Sequence, residues 1–246
     1  MNRERFQTAC QTILNAERAR DGIGTLGEKT LHAVLKHYYA PDPANHEIRV
    51  GSFVADIVTE SGIIEIQTRS FEKLTKKLTA FLANALVTLV YPLPKTKWLL
   101  WVDEQTGDIT KKRKSPRQGN IADAIYELYK IKQLLQHPNL KLCIPFIDVE
   151  EYRYLNGWSE DKKRGSTRCD RIPVALAEEI HLETPADYAQ FLPEKLPSRF
   201  TTKDYKTAAR TNQPTAQRAL HLLYQMGVAA RVGKRGKSYL YECIIS

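Results

Sequence analysis

Two short apolar runs, each interrupted by a single acid, constrain the fold of this chain more than any other feature. The first run is residues 54–58, VADIV, and the second is residues 63–67, IIEIQ, with Ser61-Gly62 between them. Branched apolar residues on both sides of a Ser-Gly turn predict the two strands of a hairpin. A carboxylate among apolar neighbours is costly to bury unless it is paired or binds a cation. We therefore expect Asp56 and Glu65 to lie close together and to have a function.

The segments around this hairpin indicate an α/β fold. Phe6, Cys10, Ile13 and Leu14 recur at helical spacing, which predicts an amphipathic helix at the start of the chain. Further on, the patterns predict a helix ending before Pro41, strands over 46–50, 53–59 and 63–68, a helix after Ser70, strands over 87–91 and 98–102, and a helix over 120–136. The order helix, three strands, helix, two strands predicts a mixed α/β layer.

Composition narrows the class of partner. The 246 residues include 37 Lys and Arg but 28 Asp and Glu, a formal net charge of +9. Such a surplus favours a polyanionic partner, because Lys and Arg release counterions from phosphates, although many soluble proteins are simply basic. The four cysteines are widely spaced, which predicts reduced thiols in the cytoplasm and no structural zinc site. No apolar run predicts a membrane span, and no Gly-rich loop predicts a nucleotide cofactor.

The acids of the predicted hairpin have the chemistry of a metal site. Glu65 and Gln67 are two residues apart, so their side chains share one face of the strand, and the hairpin turn returns this strand to Asp56. Glu28, in the preceding helix, is a candidate for a third carboxylate. Two carboxylates and a backbone carbonyl are ligands that Mg²⁺ prefers, and the ion would activate water against a phosphodiester. The alternative is that both strand acids are outward-facing polar residues of a one-sided sheet.

Residues 20–103 resemble the core of the PD-(D/E)XK nucleases, both in the acidic motif and in the order helix, three strands, helix, strand. The resemblance implies a restriction-endonuclease-like mixed sheet flanked by helices and a Mg²⁺-dependent hydrolysis of DNA, in which Mn²⁺ is able to substitute. The catalytic residues it implies are Asp56, Glu65, Gln67 and Glu28, and the metal ligands it implies are Asp56, Glu65 and the backbone carbonyl of Ile66.

Gln67 departs from the usual pattern of this superfamily, which has a lysine at that position. Some restriction endonucleases of the superfamily carry glutamine there, so activity remains compatible with the motif. A neutral amide orients water through hydrogen bonds but supplies no positive charge. The candidates for the missing charge are Lys73, Lys76 and Lys77 on the following helix. Arg69 is the nearest cation after the motif and is expected to contact a scissile phosphate.

The last fifty residues contain a second pattern. Helices are predicted over 202–209 and 214–226, and strands over 228–232 and 238–243 flank a basic turn. Helix, turn, helix and basic hairpin resemble a winged helix-turn-helix domain over 198–246, which implies a helix in the major groove and a hairpin on phosphates. The DNA-binding residues implied are Thr215, Gln217 and Arg218 in the helix and Lys234, Arg235 and Lys237 in the hairpin. The alternative is a winged helix that contacts another protein.

The chain is therefore expected to have three parts: a PD-(D/E)XK-like nuclease domain over 1–150, a basic loop and connecting helices over 151–197, and a winged helix-turn-helix domain over 198–246. The function expected of this organisation is a metal-dependent DNA endonuclease. The alternative is a catalytically inactive protein of the nuclease fold that binds DNA or has a regulatory role. A homodimer would suit this function, since cutting both strands is easiest with two active sites.

Overall fold

The structure of the protein, a computed structural model, describes residues 1–20, 30–103, 105–154 and 167–244. The helices are α1 (Arg3–Arg20), α2 (Thr30–Tyr39), α3 (Phe71–Leu82), α4 (Ile125–Lys130), α5 (Thr202–Ala208) and α6 (Gln213–Gln225), with short 3-10 helices at Pro43–Asn45, Ile121–Ala124 and Pro185–Phe191. Within the described ranges, none of the helices is long and apolar enough to cross a membrane.

The strands are β1 (His46–Val50), β2 (Phe53–Thr59), β3 (Gly62–Ile66), β4 (Val87–Val90), β5 (Leu93–Val102), β6 (Arg113–Lys114), β7 (Leu140–Tyr154), β8 (Arg168–Leu182), β9 (Arg199–Phe200), β10 (Ala229–Arg235) and β11 (Ser238–Cys243). The first eight form one mixed sheet in the order β1-β2-β3-β4-β7-β5-β6, and β8 pairs with β7. Strands β1 to β3 are antiparallel neighbours, whereas β3, β4, β7 and β5 are parallel. The prediction of a mixed α/β layer is confirmed.

Helices cover both faces of this sheet. Adjacent residues of a strand point to opposite faces, and the core divides accordingly. Leu89 and Leu142 pack in the cluster that contains the buried stripe of α3, whereas Val90 and Cys143 pack in the cluster that contains Phe6 of α1 and the buried residues of α2. The result is a sheet between two helical layers.

The long hairpin of β7 and β8 departs from the sequence prediction. Residues 151–197 were expected to form a basic loop and connecting helices, and this prediction is wrong for β8, which spans Arg168–Leu182. Residues 155–166, the middle of the predicted loop, lie outside the described residues, and the charges in the described part of β8 have tertiary partners. Asp170 is fully buried and accepts a 2.5 Å hydrogen bond from the Thr30 hydroxyl, and Arg171 pairs with Glu151 on β7. The helix predicted over 120–136 is also shorter, because α4 ends at Lys130 and turns follow it.

The C-terminal elements form a small unit with its own three-stranded sheet, in the order β10-β11-β9. Helix α6 buries Leu220 and Leu223 in the same core cluster as Leu128 of α4. Two side-chain amides also join this unit to the segment after α4. The amide of Gln136 donates to the backbone carbonyl of Gln225 at 2.8 Å, and the amide of Gln225 donates to the backbone carbonyl of Lys132 at 3.0 Å. The hydrophobic core is therefore continuous across the predicted domain boundary at residue 198.

Candidate active site

The turn between β2 and β3 sets the alignment of the two acids. The recorded pairs end at Ile57–Ile64 and Val58–Ile63, and this antiparallel register, continued by one residue, would place Asp56 opposite Glu65. Gly62 makes this turn possible, since its φ is +128° and a Cβ there would lie 2.5 Å from the carbonyl oxygen of Leu86. A side chain at this position would therefore disturb the register that brings the acids together.

At the acid pair the ordinary ladder between β2 and β3 gives way to side-chain hydrogen bonds. The backbone N–H of Asp56 donates to Oε1 of Glu65 at 3.1 Å, and the N–H of Ile66 donates to Oδ2 of Asp56 at 2.8 Å. The N–H groups of Ile63 and Gln67 both donate to carbonyls of the β4 side. Because backbone direction alternates along a strand, the N–H and carbonyl of Ile66 face β2. The structure thus brings together the three predicted metal ligands.

Two basic side chains enter the acid pair from opposite layers. Nζ of Lys77, on α3, lies 2.6 Å from Oε2 of Glu65, whose side chain is only 2% exposed. Nε2 of His32, on α2, lies 3.2 Å from Oδ2 of Asp56, at a distance but not an angle typical of a hydrogen bond. Of the three lysines considered on α3, Lys77 is the one that reaches the motif. The acid pair is therefore held between a lysine on one helix and a histidine on another.

The two carboxyl groups differ in their ease of ionisation. Burial and the charge of Asp56 raise the pKa of Glu65 to about 7, against the opposing effect of Lys77. Burial also acts to raise the pKa of Asp56, but the close contact with His32 and the amide of Ile66 outweigh it, so this pKa lies below its usual value. A firmly ionised carboxylate thus lies beside a more easily protonated one, and a cation between them would favour ionisation of both.

The donor set suits a hard divalent cation only in part. Asp56, Glu65 and the Ile66 carbonyl offer three oxygen ligands, and water commonly completes the octahedron of Mg²⁺. Within the described ranges, no group of three or more His, Cys, Asp or Glu side chains is placed to hold a metal. Glu28, the predicted third carboxylate, lies outside the described residues. The residues that are described therefore fit a site built on two carboxylates and a backbone carbonyl.

Gln67 and Arg69 lie just beyond the acid pair. The side-chain amide of Gln67 donates to the carbonyl of Arg69 at 2.5 Å, so this amide stabilises the loop after β3. Arg69 is exposed and lines a cavity beyond the ends of β3 and β4. The positive charge expected beside the motif is therefore supplied by Lys77 rather than by residue 67.

The predicted DNA-binding residues of the C-terminal unit separate into two groups. Gln217, Arg218 and Lys237 line one cavity of about 580 Å³ between α4, α6 and the β10–β11 hairpin. The guanidinium of Arg218 lies over the rings of Tyr126 and Tyr129 on α4, at 5.1 and 5.9 Å from their centroids. Part of the helix surface that was expected to read DNA therefore contacts α4.

The remaining three residues lie at the start of α6 and in the hairpin. The N–H of Thr215 donates to the side chain of Asn212, which caps the helix. Lys234 lies over the ring of Tyr239, and Arg235 is 3.6 Å from the carboxylate of Asp204 on α5. All of these residues are at the surface or half-buried, so the cationic hairpin is open to solvent.

Residues 29–183 match the family described as a domain of unknown function, DUF8091. The chain belongs to this family. The DUF8091 region runs from just before α2 to just after the end of β8. It therefore includes Asp56, Glu65, His32 and Lys77, and it stops before the C-terminal unit.

A protein of Treponema pallidum (strain Nichols), described as uncharacterized, is 29% identical over 222 residues, which is 89% of this chain and 87% of that protein. The shared stretch is longer than the DUF8091 match, so the similarity is not confined to the DUF8091 region. No solved structure matches the chain significantly.

His32 was not among the predicted site residues, although the sequence contains a signal for it. It follows Glu28 by four residues, a spacing that places two side chains on the same face of a helix. A helix that presents an acid to the hairpin would present His32 as well. Arg171 and Lys97, which surround the cavity beyond β3, gave no such signal, because only the pairing of β7, β8 and β5 brings them together.

Proposed function

We propose that this protein is a metal-dependent DNA endonuclease with a restriction-endonuclease-like fold. The observation that carries the proposal is the opposition of Asp56 and Glu65, where β2 and β3 exchange their ladder for carboxylate contacts. Two carboxylates concentrated at one buried point are costly unless they are paired or bind a cation, and Lys77 and His32 each contact one oxygen of the pair. The order of α2, β1 to β3, α3 and β4 supports the same proposal, because it is the element order that the nuclease resemblance implies.

In this proposal Asp56, Glu65 and the Ile66 carbonyl hold Mg²⁺ or Mn²⁺, which would polarise the phosphodiester and make water a better nucleophile. Lys77 favours the ionised form of Glu65, as the bound cation would, and supplies the positive charge that the motif lacks at Gln67. His32 restricts the orientation of the Asp56 carboxylate through its contact with Oδ2. Arg69, just past the motif, is placed to contact a phosphate of the bound strand.

DNA is the proposed substrate because of the C-terminal unit, which we interpret as a winged helix. Helices α5 and α6 are followed by a hairpin whose turn carries Lys234, Arg235 and Lys237. Exposed cations on such a hairpin gain affinity for phosphates by counterion release. The free thiols of the four cysteines agree with proposed action in the cytoplasm, and a homodimer would place two sites on a duplex.

Cleavage of supercoiled plasmid and of a labelled duplex, in Mg²⁺ or Mn²⁺, tests this function. Wild-type protein should nick or linearise DNA, and the near-isosteric variants Asp56→Asn and Glu65→Gln should each lose at least a hundredfold in rate. Glu60→Gln is the matched control, since Glu60 is an exposed acid in the turn of the same hairpin. Cleavage that survives in both site variants would overturn the assignment.

A second candidate is a nuclease-fold protein that binds DNA without cutting it. One observation favours it: Lys77 and His32 already contact the two carboxylates that would hold the metal. Fluorescence anisotropy with duplex DNA in EDTA separates the two candidates. Binding in EDTA with no cleavage in either metal would select the non-catalytic candidate, and cleavage of RNA alone would overturn DNA as the substrate.

A further inference from the structure

Five tyrosines cluster on the surface shared by α4, α6 and the β10–β11 hairpin. Tyr129, Tyr239 and Tyr241 line the cavity of about 580 Å³ between these elements, and Tyr126 and Tyr224 contact arginines that line the same cavity. Tyr126, Tyr224 and Tyr239 are 51, 47 and 46% exposed. Isolated exposed rings are common on proteins, whereas a contiguous group of them marks an interaction site. These five residues and the cavity are called the tyrosine surface below.

One arginine of the tyrosine surface lies among three of the rings. The guanidinium carbon of Arg231, on β10, is 4.6 Å from the ring centroid of Tyr224 and 4.3 Å from that of Tyr239. The ring of Tyr241 is farther away, at 5.9 Å. A guanidinium that stacks on a ring through its face still donates from the N–H groups at its edge. Arg231 is therefore held in place while donors at its edge remain available.

A second arginine closes one face of α6 against α4. The guanidinium of Arg218 lies over the rings of Tyr126 and Tyr129, so the two helices are neighbours at this face. A helix with its side chains is about 10–12 Å across, and the major groove of B-DNA is about 12 Å wide. The groove would admit α6 alone but not α6 with α4 beside it. This face of α6 is therefore suited to a ligand other than a duplex groove.

The cavity of the tyrosine surface is lined by cations. Within the described ranges, its lining includes Arg218, Arg231 and Lys237 but no Asp or Glu. His221 also lines it, and burial lowers the pKa of this imidazole, as do the positive charges of Lys132 and Arg231. The tyrosine surface thus offers flat apolar rings together with positive charge. This combination suits a polyanion that has rings of its own.

An unpaired nucleic-acid strand is such a polyanion. In a duplex the bases are paired and stacked on one another, so their faces are covered. In a single strand the bases stack on aromatic side chains and guanidinium planes, while the phosphates contact Lys and Arg. The exposed ring of Tyr239 contacts both Arg231 and Lys234, whose Nζ is 5.7 Å from the ring centroid. A base on this ring would therefore have two cations close to its flanking phosphates.

We propose that the tyrosine surface binds unpaired nucleotides of a DNA strand. This assignment rests on the proposed nuclease function, which makes DNA the ligand, and it specifies the substrate of that function. Lys234, Arg235 and Lys237 in the hairpin would hold the phosphates of a duplex. The adjoining tyrosine surface would hold a strand that leaves this duplex. The substrate is then DNA with a single-stranded segment next to paired bases.

Fluorescence anisotropy in EDTA with three labelled ligands tests this proposal: a blunt duplex, the same duplex with a single-stranded extension, and the extended duplex with abasic sites throughout the extension. Wild-type protein should bind the extended duplex at least about tenfold more tightly than the other two, because each stacked base contributes at least about a fivefold gain. Tyr126→Leu and Tyr239→Leu should each reduce this preference by at least about threefold. Tyr126→Phe and Tyr239→Phe keep the ring, so these matched controls should retain the preference.

All four variants change exposed side chains and should unfold at the same urea concentration as wild type, so a loss of binding would not reflect misfolding. Equal affinity of wild type for the blunt and extended duplexes would overturn the proposal, as would equal affinity for the normal and abasic extensions. Tighter binding of an RNA extension would assign RNA as the ligand and overturn the DNA assignment.

Contact with another protein molecule is the remaining alternative for the tyrosine surface. A dimer that Tyr239→Leu disrupts in light scattering, with no preference of wild type for the extended duplex, would assign the tyrosine surface to contact between copies of the chain. Glu65→Gln should retain the preference for the extension, because this acid belongs to the proposed metal site. A failure of cleavage is thus distinguishable from a failure of strand binding.

Discussion

Nζ of Lys77 in α3 lies 2.6 Å from Oε2 of Glu65 in β3, so a helix lysine neutralises the most buried acid of the candidate site. The nuclease motif that the sequence resembles has its lysine two residues after this acid, where the chain has Gln67. In the proposed nuclease, Lys77 would supply this charge from a different element. Function at the motif is then expected to depend on the packing of α3 against the sheet.

Replacing Lys77 by methionine should slow cleavage and reduce stability. Without Lys77, Glu65 must either stay ionised without its counter-charge or take up a proton, and at pH 8 the protonation of a group with a pKa of about 7 costs about 1.4 kcal/mol. We expect at least a tenfold slower cleavage and a lower urea midpoint at pH 8. Lys76→Met is the matched control, because Lys76 is exposed on the same helix. Equal activity of the two variants would show that Lys77 does not replace the missing lysine.

The free energy of unfolding should fall steeply in mild acid because of Glu151. Burial acts to raise its pKa, but the charges of Arg171, Arg153 and Lys97 outweigh burial and lower the pKa to about 2, from an ordinary value of 4.5. The stability due to ionised Glu151 is therefore complete above pH 4.5 and is lost as pH falls toward 2, an effect of roughly 3 kcal/mol. Urea unfolding at pH 7, 5 and 3.5 measures the first part of this loss, roughly 1.4 kcal/mol.

Glu151→Gln should be less stable at pH 7 and should lose much of this acid dependence, since the ionised form is then absent. Glu150→Gln is the control, because Glu150 is the neighbouring acid, is partly exposed and pairs with Lys112. Identical pH profiles for wild type and Glu151→Gln would contradict the role assigned to Glu151.

Alanine at Lys234, Arg235 and Lys237 together should weaken duplex binding about equally for unrelated sequences. For every cation that no longer reaches a phosphate, the salt slope of log K should also fall by about 0.9. Titrations in EDTA at 50 to 200 mM salt measure both quantities. Lys141→Ala, in the main sheet, should leave affinity and slope nearly unchanged. An unaltered slope in the triple variant would count against phosphate binding by the hairpin.

Local pattern was sufficient to predict the hairpin that carries the acids. Branched residues, a period of two and the Ser61-Gly62 turn are all encoded within fifteen residues, and they fix which side chains oppose each other. Local spacing also distinguishes Lys77 from the other two lysines of α3. It lies three residues after Leu74 and four before Phe81, so it borders the buried stripe of α3, whereas Lys73 and Lys76 border no stripe residue at these spacings.

The pairing of β7 with β8 could not be predicted from local sequence patterns. Leu142 and Leu182 are opposite each other although forty residues separate them, and the charges between them indicate a strand only when their partners are known. Glu151 and Arg171 each suggest a solvated loop when considered alone. This pairing also brings Arg171 to the cavity that Arg69 lines, a placement that the local sequence of neither residue indicates.

The core that joins α4 to α6 would determine the position at which the proposed nuclease cleaves DNA. A flexible linker would let the acid pair reach many positions around a bound site, and the products would be scattered in length. Here Leu128, Leu220 and Leu223 share one packed interior, which restrains the position of the cationic hairpin relative to the main sheet. In the proposed nuclease, this restraint would fix the distance between the acid pair and the hairpin. DNA cleavage would then occur at a constant number of base pairs from the site that the hairpin covers.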